Sequence, residues 1–228
     1  MLENLNPAQL EAVNNLEGPL LVFAGAGSGK TRVLTYRVAR LLQEGVDPYN
    51  IIAITFTNKA AREMRERITN ITVLGEQVWV STFHSMCTRI LRREIEILGF
   101  SKNFSIYDAD DSLRLIKNCI SECNLSDKFY IPKVMAGIIS TQKNELVTPE
   151  EFEATATNDR DAKIAELYHH YQKRLKANNA LDFDDLIMLT FQLFDEHPQV
   201  LERYRQRFRY VLVDEYQDTN HAQYQLVK

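Results

Sequence analysis

Residues 20–32, LLVFAGAGSGKTR, constrain this chain more than any other stretch. An apolar run ends in a glycine-rich loop, and the loop opens a helix with Gly29-Lys30-Thr31. Such a pattern predicts an α/β fold in which a buried strand, residues 20–23, delivers a phosphate-binding loop to a helix N-terminus. Gly25, Gly27 and Gly29 carry no Cβ, so successive backbone N–H groups can turn inward onto a polyphosphate. The loop Ala24, Gly25, Ala26, Gly27, Ser28, Gly29 is the expected cradle, although the general pattern places glycine where Ala24 stands. The helix adds free N–H groups and the positive end of its dipole. Lys30 is suited to the β and γ phosphates, and the Thr31 hydroxyl to Mg²⁺.

The 228 residues suit one large domain or two small ones, with 45% hydrophobic and 25% charged residues, as in ordinary globular proteins. No apolar run reaches the roughly 18–20 residues of a membrane span. MLENLNPAQL lacks the basic and apolar regions of a signal peptide, which predicts a cytoplasmic protein. Cys87, Cys119 and Cys123 are expected as reduced thiols, the last two on one helix face as small apolar groups rather than zinc ligands. The net charge of −4 is unevenly spread. Residues 55–105 hold eight Lys/Arg against five acids, whereas residues 106–170 hold seven against twelve. A phosphate backbone is drawn to the first segment.

Asn6-Pro7-Ala8-Gln9 has the cap, the proline and the reciprocal glutamine of a helix start. After the loop, an amphipathic helix runs from Lys30 to about Glu44 and stops at Gly45. Residues 51–55 read as a strand buried on both faces. A helix follows over 59–68, then a strand over 77–81 and a helix over 84–98. From Asp108 to Asn178 helical patterns dominate, which predicts an all-helical insertion of about 70 residues within the α/β domain. Asp182 caps a further helix, and residues 210–213, YVLV, form a strand that delivers Asp214-Glu215. Across from the glycine loop, Asp214 is the expected Mg²⁺ ligand. Glu215 is the expected base for the attacking water. The Asn-Lys-x-Asp reader of guanine is missing, since Asn58-Lys59 runs into Ala60-Ala61.

Six blocks in this order, LNPAQLEAV, AGAGSGKTR, AITFTNKAAREM, STFHSMCTRILRR, LDFDDL and VDEYQDTN, resemble the N-terminal half of superfamily-one DNA helicases of the PcrA/UvrD/Rep type, most of all their Gram-positive PcrA members. The resemblance covers all 228 residues. It implies a RecA-like P-loop domain with a parallel sheet over residues 1–107 and 179–228, carrying a helical accessory subdomain over 108–178. It explains Ala24, since the family has alanine there. It implies that Gln9 reads adenine and that Arg32 stacks on it, making ATP the nucleotide. Thr55, Phe56, Thr57 and Asn58, then Thr82, Phe83 and His84, and later Phe183, are implied contacts to single-stranded DNA. The other acids of LDFDDL, namely Asp182, Asp184 and Asp185, are expected only as helix-start residues. Gln217 is implied to couple nucleotide to DNA.

The family activity is 3′ to 5′ ATP-driven translocation on DNA, with single strands and single-strand/duplex junctions as partners. The resemblance further implies that this chain is part of a longer helicase. A second RecA-like domain would close the ATP site, and repair or replication proteins are conceivable partners. A binding module without turnover, and part of a helicase–nuclease of the same superfamily, are the other classes open to such a chain.

Overall fold

The computed structural model describes residues 5–25 and 27–228, so Ala26 of the loop lies outside the described residues. The chain divides into two compact units. The first runs to Ser85 and resumes over Gln199–Asp218; the second comprises Met86–Pro198 and Thr219–Lys228.

The first unit is built on a parallel sheet. Helix α1, Pro7–Asn14, starts in the expected capping box, with the Asn6 side chain accepting from the Gln9 N–H. Helix α2, Lys30–Gln43, follows Gly29 and buries Val33, Leu34, Val38, Leu41 and Leu42. Strand β1, Ile51–Thr55, is buried throughout. Helix α3, Asn58–Ile71, is capped by Thr57, whose hydroxyl accepts from the Ala60 N–H. Strand β2, Trp79–Thr82, and a later strand, Tyr210–Val213, both pair in parallel with β1, giving a three-stranded order with β1 in the centre. Leu34, Val38, Leu41, Ile51, Ala53, Met64, Ile68, Val80 and Leu212 form the core on which α2 and α3 pack.

One expectation for this unit is overturned. Residues 20–23 are not a strand, and Leu20, Leu21, Val22 and Phe23 are exposed, Phe23 at 89%. A strand exists only through its ladder, and an apolar sequence supplies no hydrogen-bond partner by itself. Among the described residues no strand pairs with this segment, and Tyr210–Val213 bonds to β1 on one side only.

The second unit is largely helical. Helix α4, Phe83–Glu94, begins in the first unit and continues into the second. It is followed by a 3₁₀ turn, Ile95–Leu98, that ends at Gly99 in the left-handed region. The short strand β3, Ser105–Ile106, then leads to α5, Ala109–Glu122, and α6, Pro132–Asn144. Helix α7, Pro149–Ala154, opens with the Thr148–Glu151 capping box and precedes α8, Asp159–Ala177. Strand β4, Ala180–Leu181, pairs with β3, a ladder too short to leave a period in the sequence. Helix α9, Phe183–Glu196, is the last long helix of this unit, and α10, Pro198–Arg207, returns the chain to the first unit. Strand β5, the Tyr210–Val213 segment already placed in the sheet, and α11, His221–Val227, complete the chain. Leu115, Ile116, Ile120, Met135, Ile139, Ile164, Leu167, Tyr168 and Tyr171 form the second core. The helices expected as an insertion, α5 to α8, all lie in this unit together with α9 and α11.

Candidate nucleotide and nucleic-acid site

The carboxyl edge of the parallel sheet carries the chemistry of the first unit. In a parallel sheet every strand points the same way, so the residues that leave the strands gather along one edge. Thr55 pairs in register with Thr82, and the Asp214 N–H just past β5 donates to the Ile54 carbonyl at 2.9 Å.

The glycine loop lies at this edge. Gly27 and Gly29 adopt φ of 75° and 89°, a left-handed backbone that L side chains avoid. The Ser28 hydroxyl donates to the Gly25 carbonyl at 2.6 Å and closes the loop on itself. Gly29 is the N-cap of α2 and has no side-chain cap, which leaves the first N–H groups of the helix for a ligand. The half-buried Gln9 does two local jobs. Its Oε1 accepts from the Asn6 N–H at 3.0 Å, and its Nε2 donates to the Ser28 carbonyl at 2.9 Å. It therefore holds the loop from the α1 side, and a Cβ at Gly29 would meet its Nε2 at 3.0 Å. Arg32 is exposed, with its guanidinium 5.8 Å from the Tyr36 ring.

Across the site, the Thr31 hydroxyl donates to Asp214 Oδ2 at 2.9 Å, joining residues 183 positions apart. Burial pushes the Asp214 carboxyl above its usual range, aided by the neighbouring Glu215 charge and opposed by the Thr31 bond and Lys30. Lys30 Nζ donates to the Ala24 carbonyl at 3.3 Å and stands 4.0 Å from Glu215 Oε2. Glu215 has φ of 51°, uncommon for a residue with a side chain, and its carboxylate accepts from the Gln217 amide. The donor set fits a hard divalent cation, because the hydroxyl and carboxylate that converge are both oxygen ligands. It fits a triphosphate as well, since a lysine and uncapped N–H groups adjoin them.

The segments expected to meet DNA fall into two kinds. Phe56, just past β1, is half-buried, and Thr57 and Asn58 are exposed at the start of α3. Phe83 is 1% exposed and packs against Phe56 with ring centroids 5.7 Å apart. Thr82 is buried too, its hydroxyl accepting from the Ser85 N–H, and Thr55 is buried at 2%. His84 is half-buried. Phe56, Thr57 and Asn58 thus reach the surface, while Phe83, Thr55 and Thr82 support them from behind. In the second unit Phe183 is 52% exposed at the first position of α9.

Several cations of the basic stretch 55–105 are engaged internally. Arg65 donates to the Val80 carbonyl at 2.6 Å, Lys59 pairs with Glu63, and Lys102 with Glu96. Cys119, Glu122 and His170 bring three ligand-type atoms within 4.8 Å of one another. Glu122 there already accepts from His170 at 2.6 Å and has Arg174 at 3.6 Å, and burial raises the Cys119 thiol to about 12. Sequence reasoning missed Lys143, which is fully buried between Asp182 and Asp185 at 2.6 and 2.7 Å. A lysine in an unremarkable helical run, 39 residues before its partner, gives no local signal.

A family model described as the UvrD/REP helicase N-terminal domain matches residues 5–228. The chain is 56% identical to the ATP-dependent DNA helicase PcrA of Bacillus subtilis and 53% identical to that of Staphylococcus aureus. Each match covers the whole of this chain and 31% and 32% of the relative, so the chain spans about a third of the length of these proteins. Sheet, loop and sequence agree, and the chain belongs to the UvrD/REP helicase family as its N-terminal domain.

Proposed function

We propose that this chain supplies one wall of the ATP site and part of the single-stranded DNA track of an ATP-dependent 3′ to 5′ DNA helicase. The observation that carries this is the Thr31–Asp214 hydrogen bond, which joins the glycine loop to the acidic strand end. The same sheet edge carries the Thr55–Asn58 segment, so nucleotide state and strand grip share one rigid support. ATP is the substrate, its phosphates held by the loop N–H groups and Lys30. Its adenine meets Gln9 and Arg32. Mg²⁺, held by Thr31 and Asp214, offsets phosphate charge. Glu215 takes the proton of the attacking water, and Gln217, which donates to the Glu215 carboxylate, links that base to the DNA side.

Phe56 and Phe183 stack on bases, and Thr57 and Asn58 meet the backbone, with Thr55, Thr82, Phe83 and His84 completing that segment. The unit assignments follow the same reading: a RecA-like domain over 1–107 and 179–228 and a helical insertion over 108–178. A second RecA-like domain of the parent protein supplies the opposite wall. Single-strand/duplex junctions, a cytoplasmic location and repair or replication partners fit this role. No helix among the described residues is long and apolar enough to cross a membrane.

The test measures a fluorescent ATP analogue and labelled oligo-dT on the same preparation. Lys30→Ala is expected to abolish Mg²⁺-dependent nucleotide binding and leave oligo-dT binding in place. Loss of neither, or equal loss of both, refutes the proposal. ATP binding with no DNA-stimulated turnover in the complete parent protein would mark a binding module instead.

A further inference from the structure

We propose that Lys143, assisted by Asn144, is a positioning residue for DNA binding: it locks the first turn of α9 and so sets the direction in which Phe183 leaves the protein. This rests on the proposed role of Phe183 as a stacking residue.

The observations concern one turn of backbone. Asp182 and Asp185 form a capping box, each side chain accepting the other's N–H, at 2.9 and 3.1 Å. The remaining oxygens face the same cation. Lys143 Nζ donates to Asp182 Oδ2 at 2.6 Å and lies 2.7 Å from Asp185 Oδ1. The Tyr171 hydroxyl donates to Asp182 and the Gln172 amide to Asp185. All four carboxylate oxygens are therefore occupied. Asn144 holds the third acid, donating to Asp184 Oδ1 at 3.2 Å, and accepts from the Asn220 amide. Asn220 lies two residues beyond Asp218, so this turn is tied to the end of the VDEYQDTN segment.

Phe183 and Asp184 lie between the two clamped residues. With the backbone on both sides fixed, the Phe183 ring keeps only its own side-chain torsions. Burying a lysine with two carboxylates is an expensive way to hold a helix, because apolar packing of similar volume holds it as well or better. Ionic and hydrogen-bonded groups contribute direction, since each bond has a preferred distance and angle. Helix α6 is itself stopped at this place. Leu146 adopts φ of 61°, and the Val147 N–H donates to the Gln142 carbonyl at 2.9 Å. This is the left-handed helix stop normally given to glycine.

The test compares Lys143→Met, Phe183→Ala and the double variant of this chain, by anisotropy of labelled oligo-dT, binding of a fluorescent ATP analogue, and thermal midpoint. Each single variant is expected to weaken oligo-dT binding about tenfold, the scale of one stacked base, with ATP binding unchanged. The double variant is expected to be no weaker than Phe183→Ala alone, because both remove one function. A purely structural Lys143 would lower the midpoint and leave DNA affinity intact below it. That result, or fully additive losses, overturns the proposal. If Lys143→Met does not fold, Asn144→Ala decides, with a threefold loss expected that vanishes in the Phe183→Ala background. Loss that persists there, or no loss, refutes it. An unaffected Phe183→Ala would refute the stacking role itself, and this inference with it.

Discussion

Replacing Phe56 and Phe83 by alanine in separate variants pulls apart two roles that adjacent motifs had merged. The rings lie 5.7 Å apart at an interplanar angle of 60°, an edge-biased pair that contributes about 0.5–1.5 kcal/mol beyond area burial. Phe83 is 1% exposed, so its truncation empties a core position and costs about 3–5 kcal/mol. For a chain of this size each kcal/mol moves the thermal midpoint by roughly 2–4 °C, which gives a drop of roughly 6–20 °C. Phe56 is only half-buried, and its truncation costs about 1 kcal/mol of stability, mostly through the lost ring pair.

On oligo-dT the order reverses. On the proposed stacking role, Phe56→Ala is expected to weaken binding by about 1–3 kcal/mol, or roughly 5- to 150-fold in affinity. Phe83→Ala, measured below its lowered midpoint, is expected to lose less, because its buried ring reaches the surface segment through its contact with Phe56. Scanning calorimetry and fluorescence anisotropy on the same preparations provide both readouts, with a fluorescent ATP analogue as control. Phe56→Ala that weakens ATP and DNA equally, or Phe83→Ala that leaves the midpoint in place, refutes this division of labour.

Three further outcomes follow from the site and the second core. Glu215→Gln in the complete helicase is expected to bind ATP normally and lose about 10²- to 10⁴-fold in single-turnover hydrolysis, the range of a general base. Thr31→Ala removes the bond to Asp214 and is expected to make nucleotide binding insensitive to EDTA, measured by titrating the analogue with and without Mg²⁺. Burial and the nearby Asp182 charge raise Asp185 from an ordinary 3.8 to about 6, so the folded chain holds that proton more tightly than the unfolded one. Stability is then lost as pH rises from about 4 to 6, and Asp185→Asn is expected to flatten that slope in urea titrations. Asp182 acts in the opposite sense: burial raises it, but Lys143 overrides that and holds it below its usual range, so its contribution is lost only below about pH 4.

How much of this was legible in the sequence depended on the range of the interaction that decides each feature. Asn6 and Asp182 announce helix starts because the cap and its partner lie within three residues, and both capping boxes form. Residues 51–55 announce a strand because the whole run is buried, and residues 210–213 form one because β1 pairs with them, although Val211 is exposed. Residues 20–23 have the same apolar character and yet are exposed, because whether a ladder forms is decided by a neighbour and not by the run itself. Phe56 and Phe83 illustrate the same limit for side chains. Both follow a strand at the start of a helix, but Phe56 stands just before the α3 cap and is half-buried, whereas Phe83 is the first residue of α4 and is buried.

The acids of LDFDDL carry this furthest. As a local pattern they are a cap with two acids in the first turn, and that is correct as far as it goes. What changes their meaning is a lysine 39 residues upstream, brought to them by α6 packing on α9. A cap alone leaves a helix start free to fray on its outer side, whereas a cap whose every oxygen is occupied holds the backbone of the intervening residue in place. The residue so held is Phe183, the one aromatic of that turn and one that faces solvent.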